Sequence, residues 1–493
     1  MKTEINPSIF REYDIRGIAG RDLNPEFAKL LGIAYARYIA GRPIVGGKKI
    51  ATVSVGWDCR LSSDSYASAL VSGLQEEGLK VVRLGVCPSP LTYFSIFALD
   101  LDGGIMVTGS HNPADYNGFK ISVGKDTIHG HQIQEIRALM EKVLNDLAAP
   151  QAYLATPLAT KKTPSFASYS EASDIEIIPR YIEHLLKITK PLKRKKIVLD
   201  AGNGTASTVA PELFKKLGAD IIPLFCELDG RFPNHHPDPT VPENLQQLIQ
   251  KVKEEKADFG LAFDGDADRL GLVDENGRII YGDEQMILFS RSILKVIPGA
   301  TIISEVKSSY KLYNDIAAKG GKPIMWKTGH SLIKSKMKET KAVLAGEMSG
   351  HMFFADRYFG FDDAIYAGLR VYEIASDHNG PLSSLLSDLA VSVSTPEIRV
   401  DCEEAKKFQL VEQTKKRLTG NYKLNDIDGV RVDFGDGWGL VRASNTQPVL
   451  VLRFEAPNDS RLAEIRKTIE TALHEAARAI GHNPIRIENS GTH

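Results

Sequence analysis

The chain has 493 residues, enough for about three or four domains of ordinary size, and its 61 Lys plus Arg nearly balance 62 Asp plus Glu for a net charge of -1. That balance provides no global field to draw in nucleic acid or anionic membrane, so any phosphate recognition must be local. Cys59, Cys87, Cys226 and Cys402 lack CxxC spacing, Met1–Pro7 lacks a signal-peptide core and no apolar run reaches ~18 residues, which together predict a soluble cytoplasmic protein without disulfides, zinc or a membrane partner.

In chain order, Ile50 to Val55 reads as a strand ending in Gly56-Trp57-Asp58-Cys59-Arg60, followed by a helix from Ser65 to Glu77, Gly78, and a strand from Leu79 to Leu84. The apolar run Leu101 to Val107 then breaks into Thr108-Gly109-Ser110-His111-Asn112-Pro113. Gly109 relaxes the backbone beside the serine and Pro113 stops a regular element, so Ser110 is expected on an exposed loop as a phosphate-carrying nucleophile, with His111 beside it. Plain turn chemistry is the alternative, and it yields only if a partner exists elsewhere. Lys120, in Asn117-Gly118-Phe119-Lys120, can offset charge on phosphoryl oxygens, against the blander reading of a solvated strand lysine. Ala148 to Ser173 is polar and rich in alanine and serine, and reads as a linker.

The same order recurs from Lys196 to Asp200, through Gly202-Asn203-Gly204 and a helix near Val209 to Leu217, to the strand Asp220 to Phe225. Gly202 to Ser207 imitates a dinucleotide fingerprint but lacks its third glycine, and no Walker lysine motif occurs. Asn234-His235-His236-Pro237-Asp238-Pro239 fits a rigid loop better than a metal site, and Lys193 to Lys196 a solvated lead-in. The partner for Ser110 is Asp264-Gly265-Asp266-Ala267-Asp268-Arg269, which follows the strand Gly260 to Phe263. Three carboxylates at alternate positions can chelate a small hard cation, and an oxygen-only set favours magnesium. A calcium EF-hand fails because its sixth position is Arg269 rather than glycine and because a strand leads in. Ser110 with this triad gives a coherent mechanism, in which Mg2+ bridging a phosphorylated serine orients the group for in-line attack.

A third unit runs from the strand Thr301 to Val306 through Lys307-Ser308-Ser309, the helix Tyr310 to Ala318, and the strand Pro323 to Trp326 into Lys327-Thr328-Gly329-His330. Three strand-loop-helix-strand units imply three α/β domains with largely parallel sheets, whose loops at the strands' carboxyl ends gather ligands. In Gly346-Glu347-Met348-Ser349-Gly350-His351, Glu347 and Ser349 can bond neighbouring sugar hydroxyls and His351 can move a proton. The last hundred residues read as strand Ile398 to Asp401, helix Ala405 to Leu418, three strands between Val430 and Phe454, and helix Arg461 to Ile480, a smaller α+β domain. Within it Arg442-Ala443-Ser444-Asn445-Thr446-Gln447-Pro448 crowds a guanidinium, hydroxyls and an amide into one turn, which reads as a phosphate-binding group without chemistry of its own, against the blander reading of a plain hairpin turn. The expected divisions are 1–165, a phosphoserine domain; 166–273, metal-binding; 274–394, sugar recognition; and 395–493, phosphate binding.

With these motifs in this order, the chain resembles the α-D-phosphohexomutases, in their bacterial phosphomannomutase/phosphoglucomutase branch, over essentially its whole length. Phe10-Arg11-Glu12-Tyr13-Asp14-Ile15-Arg16-Gly17 matches the family's amino-terminal signature. The resemblance implies four domains around a central cleft, a resting phosphoserine at Ser110, and Mg2+ held by Ser110, Asp264, Asp266 and Asp268. It implies interconversion of hexose 1-phosphate and hexose 6-phosphate through glucose 1,6-bisphosphate or mannose 1,6-bisphosphate, which reorients between half-reactions. Ser110, His111, Lys120, Arg269 and His351 are then the catalytic set. Tyr13, Arg16, Lys307, Thr328, Gly329, His330, Glu347, Ser349, Arg442, Ser444, Asn445 and Thr446 are the substrate-binding set. The only partners implied are small hexose phosphates, with the chain a monomer or weak dimer. Three departures stand out: Trp57 where many relatives carry arginine, Gln447 beside the phosphate loop, and a longer stretch between Lys120 and Asp174. Phosphoglucosamine mutase is the nearest rival, which usually has glutamine at the position of Met348; a phosphatase, and a sensor that has lost catalysis, are the others.

Overall fold

The computed structural model describes residues 5–42, 50–148, 172–445, 447–483 and 485–487, so most of the expected linker (149–171) and Thr446 lie outside the described residues. The chain forms two compact units, Met1–Tyr281 with Ser349–Ser383, and Gly282–Met348 with Ser384–His493.

The first unit contains two sheets built on one plan. In the first, Gly103–Val107, Thr52–Trp57 and Lys80–Val86 are parallel, Tyr116–Val123 pairs antiparallel with Gly103–Val107, and Ile15–Ile18 pairs antiparallel with Tyr116–Val123. Helices cover both faces of such a sheet, so its strands read as nearly continuous apolar runs; Gly103–Val107 is buried at every position. The helix Pro25–Ala40 starts where Asn24 accepts the Phe27 N–H and Pro25 supplies a preset φ. In the second sheet, Asp220–Leu224, Lys196–Asp200 and Phe259–Phe263 are parallel, Leu270–Asp274 pairs antiparallel with Phe259–Phe263, and Ile279–Ile280 pairs antiparallel with Leu270–Asp274. In both, the third parallel strand turns back as a hairpin, and the hairpin loop carries the motif: residues 108–115 in the first sheet, 264–269 in the second.

The second unit holds the parallel strands Lys322–Trp326, Thr301–Glu305 and Leu344–Gly346, flanked in sequence by Gly282–Leu294, Tyr310–Ala318 and His330–Thr340. Its C-terminal sheet is antiparallel, running Lys423–Asn425, Val430–Asp433, Trp438–Ala443 and Val449–Ala456, with Ile398–Asp401 also paired to the last. Val441, Leu450, Leu452 and Phe454 pack with Leu410, Ile465, Ile469 and Leu473 of the helices Lys407–Leu418 and Asp459–Ala479 as the core. On the opposite face Arg431 is buried with its guanidinium 3.6 Å from the Trp438 ring centroid.

Three α/β layers and a smaller C-terminal α+β domain therefore stand as expected. The two sheets of the first unit are mixed, because each hairpin that presents a motif returns antiparallel. Lys423–Asn425 is too short and polar to announce itself as a strand. All four cysteines are free, and no helix among the described residues is long and apolar enough to cross a membrane.

Candidate active site

Ser110 is buried, not on an exposed loop as its polar neighbours suggested. The reason is Arg60, whose guanidinium donates to the carbonyl oxygens of Ser110 (2.7 Å), Asn112 (2.6 Å), Tyr116 (3.0 Å) and Pro113. Asp58 completes the clamp by pairing with Arg60 and accepting the Thr108 hydroxyl at 2.8 Å and the Gly109 N–H at 3.2 Å. A β-carbon on Gly109 would stand 2.5 Å from Arg60 Cζ, so only glycine fits. Ser110 itself has φ 49°, a left-handed conformation that costs a side-chain-bearing residue about 1–2 kcal/mol. The clamp holds it there.

The Ser110 hydroxyl donates to Asp264 Oδ2 at 3.1 Å and lies 3.2 Å from His111 Nδ1. Asp264, Asp266 and Asp268 are all fully buried and offer carboxylate oxygens within 4.8 Å of one another. The hairpin geometry arranges them: Asp264 Oδ1 accepts the N–H groups of Asp268 (3.0 Å) and Arg269 (3.1 Å), and Ala267 takes a positive φ of 59°. Lys120 Nζ, equally buried, pairs with Asp266 Oδ2 at 2.6 Å and with Asp268 Oδ2, so the solvated-lysine reading is wrong. Burial opposes its charge, but the two aspartates outweigh burial and hold it well above the usual lysine range. Burial also pushes Asp266 upward, yet Lys120 overcomes that and draws it below the usual carboxylate range. Asp264, without such a partner, is raised by burial and by repulsion from Asp268 and Asp266. Three carboxylates facing one ammonium leave negative charge uncompensated, and Asp266 Oδ1 and Asp268 Oδ1 are buried without a hydrogen-bond donor. The donor set thus fits a hard divalent cation.

His111 is half-buried, and its desolvation together with Arg269 and Arg16 holds it well below the usual imidazole range, so it is neutral. Arg269 Nε donates to His351 Nε2 at 3.0 Å, while His351 Nδ1 faces Asp362 Oδ2 at 3.4 Å and Asp268 Oδ1 at 3.6 Å. Arg16 pairs with Asp14 at 2.6 Å and reaches Asn112 of the serine loop at 3.2 Å. Tyr13, two residues before the strand Ile15–Ile18, is half-buried, and Ser349 is half-buried in the turn after Glu347. These residues belong to the first unit.

The second unit carries the remaining candidates. Thr328 gives its hydroxyl to Glu305 and its N–H to Asp428 Oδ2 at 3.0 Å. Gly329 has φ 129° and donates to Glu347 Oε1 at 2.6 Å, and buried His330 opens the helix that follows. Lys307 pairs with Glu397 at 2.9 Å and Glu305 at 3.4 Å. Arg442 ends its strand held by Asp428 at 3.1 Å; Ser444 accepts the Gln447 N–H at 3.1 Å and donates its own N–H to Val449 O, with Asn445 at the turn between them. Buried Lys407 holds the far side of this turn through the Gln447 carbonyl at 3.2 Å.

Sequence reasoning missed Asp58, Arg60, Glu305, Asp362 and Asp428, all of which support motif residues rather than belong to a motif. Asp58 and Arg60 carried a readable signal, a carboxylate and a guanidinium just past a strand next to the serine strand. Asp362 and Asp428 lie more than ten residues from the side chains they hold, and Glu305 meets Thr328 and Met348 only through the fold, so none of the three carried one.

The four successive domains of the phosphoglucomutase/phosphomannomutase family match residues 7–146 (alpha/beta/alpha domain I), 179–277 (domain II), 281–392 (domain III) and 397–472 (C-terminal domain). A phosphomannomutase/phosphoglucomutase of Pseudomonas aeruginosa is 45% identical over 467 residues, covering 94% of this chain and 95% of its own. A Neisseria gonorrhoeae phosphoglucomutase is 43% identical over 472 residues, with 95% and 97% covered. The crystal structure of a phosphoglucomutase/phosphomannomutase family protein from Burkholderia thailandensis superposes with a TM-score of 0.85 at 41% identity, covering 98% of this chain and all of its own. With all four domains of the family present in order and a relative 45% identical over 94% of its length, this chain belongs to the phosphoglucomutase/phosphomannomutase family of enzymes.

Proposed function

We propose that this enzyme interconverts hexose 1-phosphate and hexose 6-phosphate, acting on glucose and mannose, by passing a phosphoryl group through Ser110. The observation that carries the reading is the Ser110 hydroxyl bonded into a buried aspartate triad whose other two members hold Lys120. Ser110 carries the phosphoryl group at rest. A sugar hydroxyl attacks phosphorus, the bond to Ser110 Oγ breaks, and the new bond to the sugar oxygen gives a hexose 1,6-bisphosphate. The hydroxyl proton passes to His351, which returns it to the other sugar oxygen when that position gives its phosphoryl group back to Ser110. For Nε2 to accept a proton, the Arg269 N–H must turn away from it, and a phosphoryl group is a natural new acceptor for that guanidinium. Lys120 offsets charge on the phosphoryl oxygens and gives a proton to Ser110 Oγ as its bond to phosphorus breaks, taking it back when the serine attacks in the return step. His111, neutral at 3.2 Å from the serine oxygen, completes the catalytic set.

Ser110, Asp264, Asp266 and Asp268 would hold Mg2+, which when bound would supply Lewis-acid withdrawal of charge from the phosphoryl group. Arg442, Ser444, Asn445 and Thr446 bind the phosphate that is not reacting, Glu347 and Ser349 the sugar hydroxyls, and Lys307, Thr328, Gly329, His330, Tyr13 and Arg16 the rest of the substrate. We further assign the chain to the cytoplasm, as a monomer or weak dimer.

The test is conversion of glucose 1-phosphate to glucose 6-phosphate, coupled to a dehydrogenase, with and without Mg2+ and a trace of glucose 1,6-bisphosphate, repeated with mannose and glucosamine phosphates. The expected result is Mg2+-dependent turnover of glucose and mannose phosphates that rises with bisphosphate. Ser110→Ala should abolish it, and a variant with full turnover would refute the phosphoserine. Preference for glucosamine phosphate would move the chain to the rival mutase.

A further inference from the structure

Glu305 ends the central strand of the third α/β layer, and it is fully buried. Loops leave such a sheet at the carboxyl ends of its strands, and the Glu305 carboxylate touches all three of them. Oε1 accepts the Met348 N–H at 2.9 Å, in the loop after Leu344–Gly346, and lies 3.4 Å from Lys307 Nζ in the loop after its own strand. Oε2 accepts the Thr328 hydroxyl, in the loop after Lys322–Trp326. Glu347, adjacent to Met348, closes the circuit by accepting the Gly329 N–H at 2.6 Å. Asp428 extends it, since one oxygen takes both the Thr328 N–H at 3.0 Å and Arg442 Nε at 3.1 Å.

We propose that Glu305 is a positioning residue that sets sugar discrimination, by fixing together Lys307, Thr328 and the backbone beside Glu347, and through Asp428 the phosphate-binding Arg442. The role rests on the mutase reading above. Two physical consequences make it specific. Thr328 has one hydroxyl proton and gives it to Glu305, so towards a ligand that oxygen presents lone pairs and reads only donors. Lys307 pairs with both Glu397 and Glu305, so two anions rather than one hold its ammonium. A glutamine at 305 keeps the size but removes both effects. Its amide can turn the Thr328 hydroxyl into a donor towards ligand, and Lys307 is left to Glu397.

The experiment is steady-state kinetics of wild type, Glu305→Gln and Glu305→Asp with glucose 1-phosphate and mannose 1-phosphate, alongside melting curves. Glu305→Gln should raise KM for both sugars by roughly tenfold or more, leave kcat within about threefold, and change the glucose-to-mannose ratio of kcat/KM by at least about fivefold. Glu305→Asp keeps the charge but withdraws the oxygens by one methylene, and should move the ratio the same way by less. It decides the matter if Glu305→Gln does not fold. An active wild type whose folded variants keep the ratio within about twofold refutes this role alone. A wild type without turnover on either sugar refutes the mutase reading, and this role with it.

Discussion

Arg60 is committed to holding the serine loop in place. Its guanidinium serves four carbonyl oxygens of residues 110–116 and Asp58 at once. Lysine carries the same charge but only three donors on one nitrogen, and cannot span that set. Arg60→Lys should therefore leave the sheet folded yet let the serine loop relax from its left-handed turn. Misplacement of a reacting atom by about 1 Å costs on the order of 10²-fold in rate, so kcat should fall by that order with KM little changed. Steady-state kinetics on glucose 1-phosphate check it, and an unchanged kcat would show that the loop holds its shape without the clamp. The motifs around Ser110, Asp264 and Arg442 were legible because each packs several unusual side chains into six or seven consecutive residues. The burial of Ser110 was not, since it is imposed by a guanidinium fifty positions away.

Among the elements, the helix Ala364–Asp377 has an unusual start. Asp363 caps it by accepting the Tyr366 N–H, and also accepts the hydroxyls of Tyr181 and Tyr358 at 2.8 Å each. Burial nevertheless dominates and raises the carboxyl from 3.8 to about 6, with those three bonds only partly opposing it. The folded state then binds a proton between about pH 4 and 6 that the unfolded chain has already released. Stability from this group is therefore greatest at low pH and declines as pH rises through that window, by about 3 kcal/mol. Asp363→Asn keeps a cap acceptor without the charge. It should flatten the dependence between pH 4 and 6 and be at least as stable as wild type at pH 7.5, as followed by denaturant unfolding across that range. A steeper dependence in the variant would contradict the burial argument. Long apolar elements such as Gly103–Val107 and Asp459–Ala479 were readable within a residue or two, since burial on both faces or helical spacing leaves a strong pattern. The antiparallel returns were harder to read. Leu270–Asp274 is as apolar as its parallel neighbours, and only the turn between them reverses its direction.

The whole molecule comprises two compact units, each with its own sheets and cores. The aspartate triad lies in the first and Arg442 with its turn in the second. A ligand stabilises the unit that binds it, by about 2.7 kcal/mol at a hundred times its dissociation constant. Calorimetry should therefore depart from a single two-state transition. Mg2+ should raise the melting of one component and inorganic phosphate that of the other. A single transition with equal calorimetric and van't Hoff enthalpies, shifted alike by both ligands, would show that the units melt as one. At this scale the sequence told the repeat count and the order of domains, because the strand-loop-helix-strand order is local. How the chain partitions into compact units depends on contacts between distant segments, as with Ser349–Ser383 returning to the first unit, and no local pattern records them.

The clamp on the serine loop has one more consequence. A loop whose carbonyl oxygens at 110, 112, 113 and 116 are all committed to one buried guanidinium is an anchored post. Under the proposed mechanism such a post does not swing a phosphoryl group from one end of a hexose to the other, so the reversal that swaps position 1 for position 6 falls to the sugar. On that reading the protein stands still at the point of bond making while its cargo turns round, and how long the loosened bisphosphate stays nearby before it drifts into solvent decides whether each encounter ends in product or in a stranded, dephosphorylated enzyme.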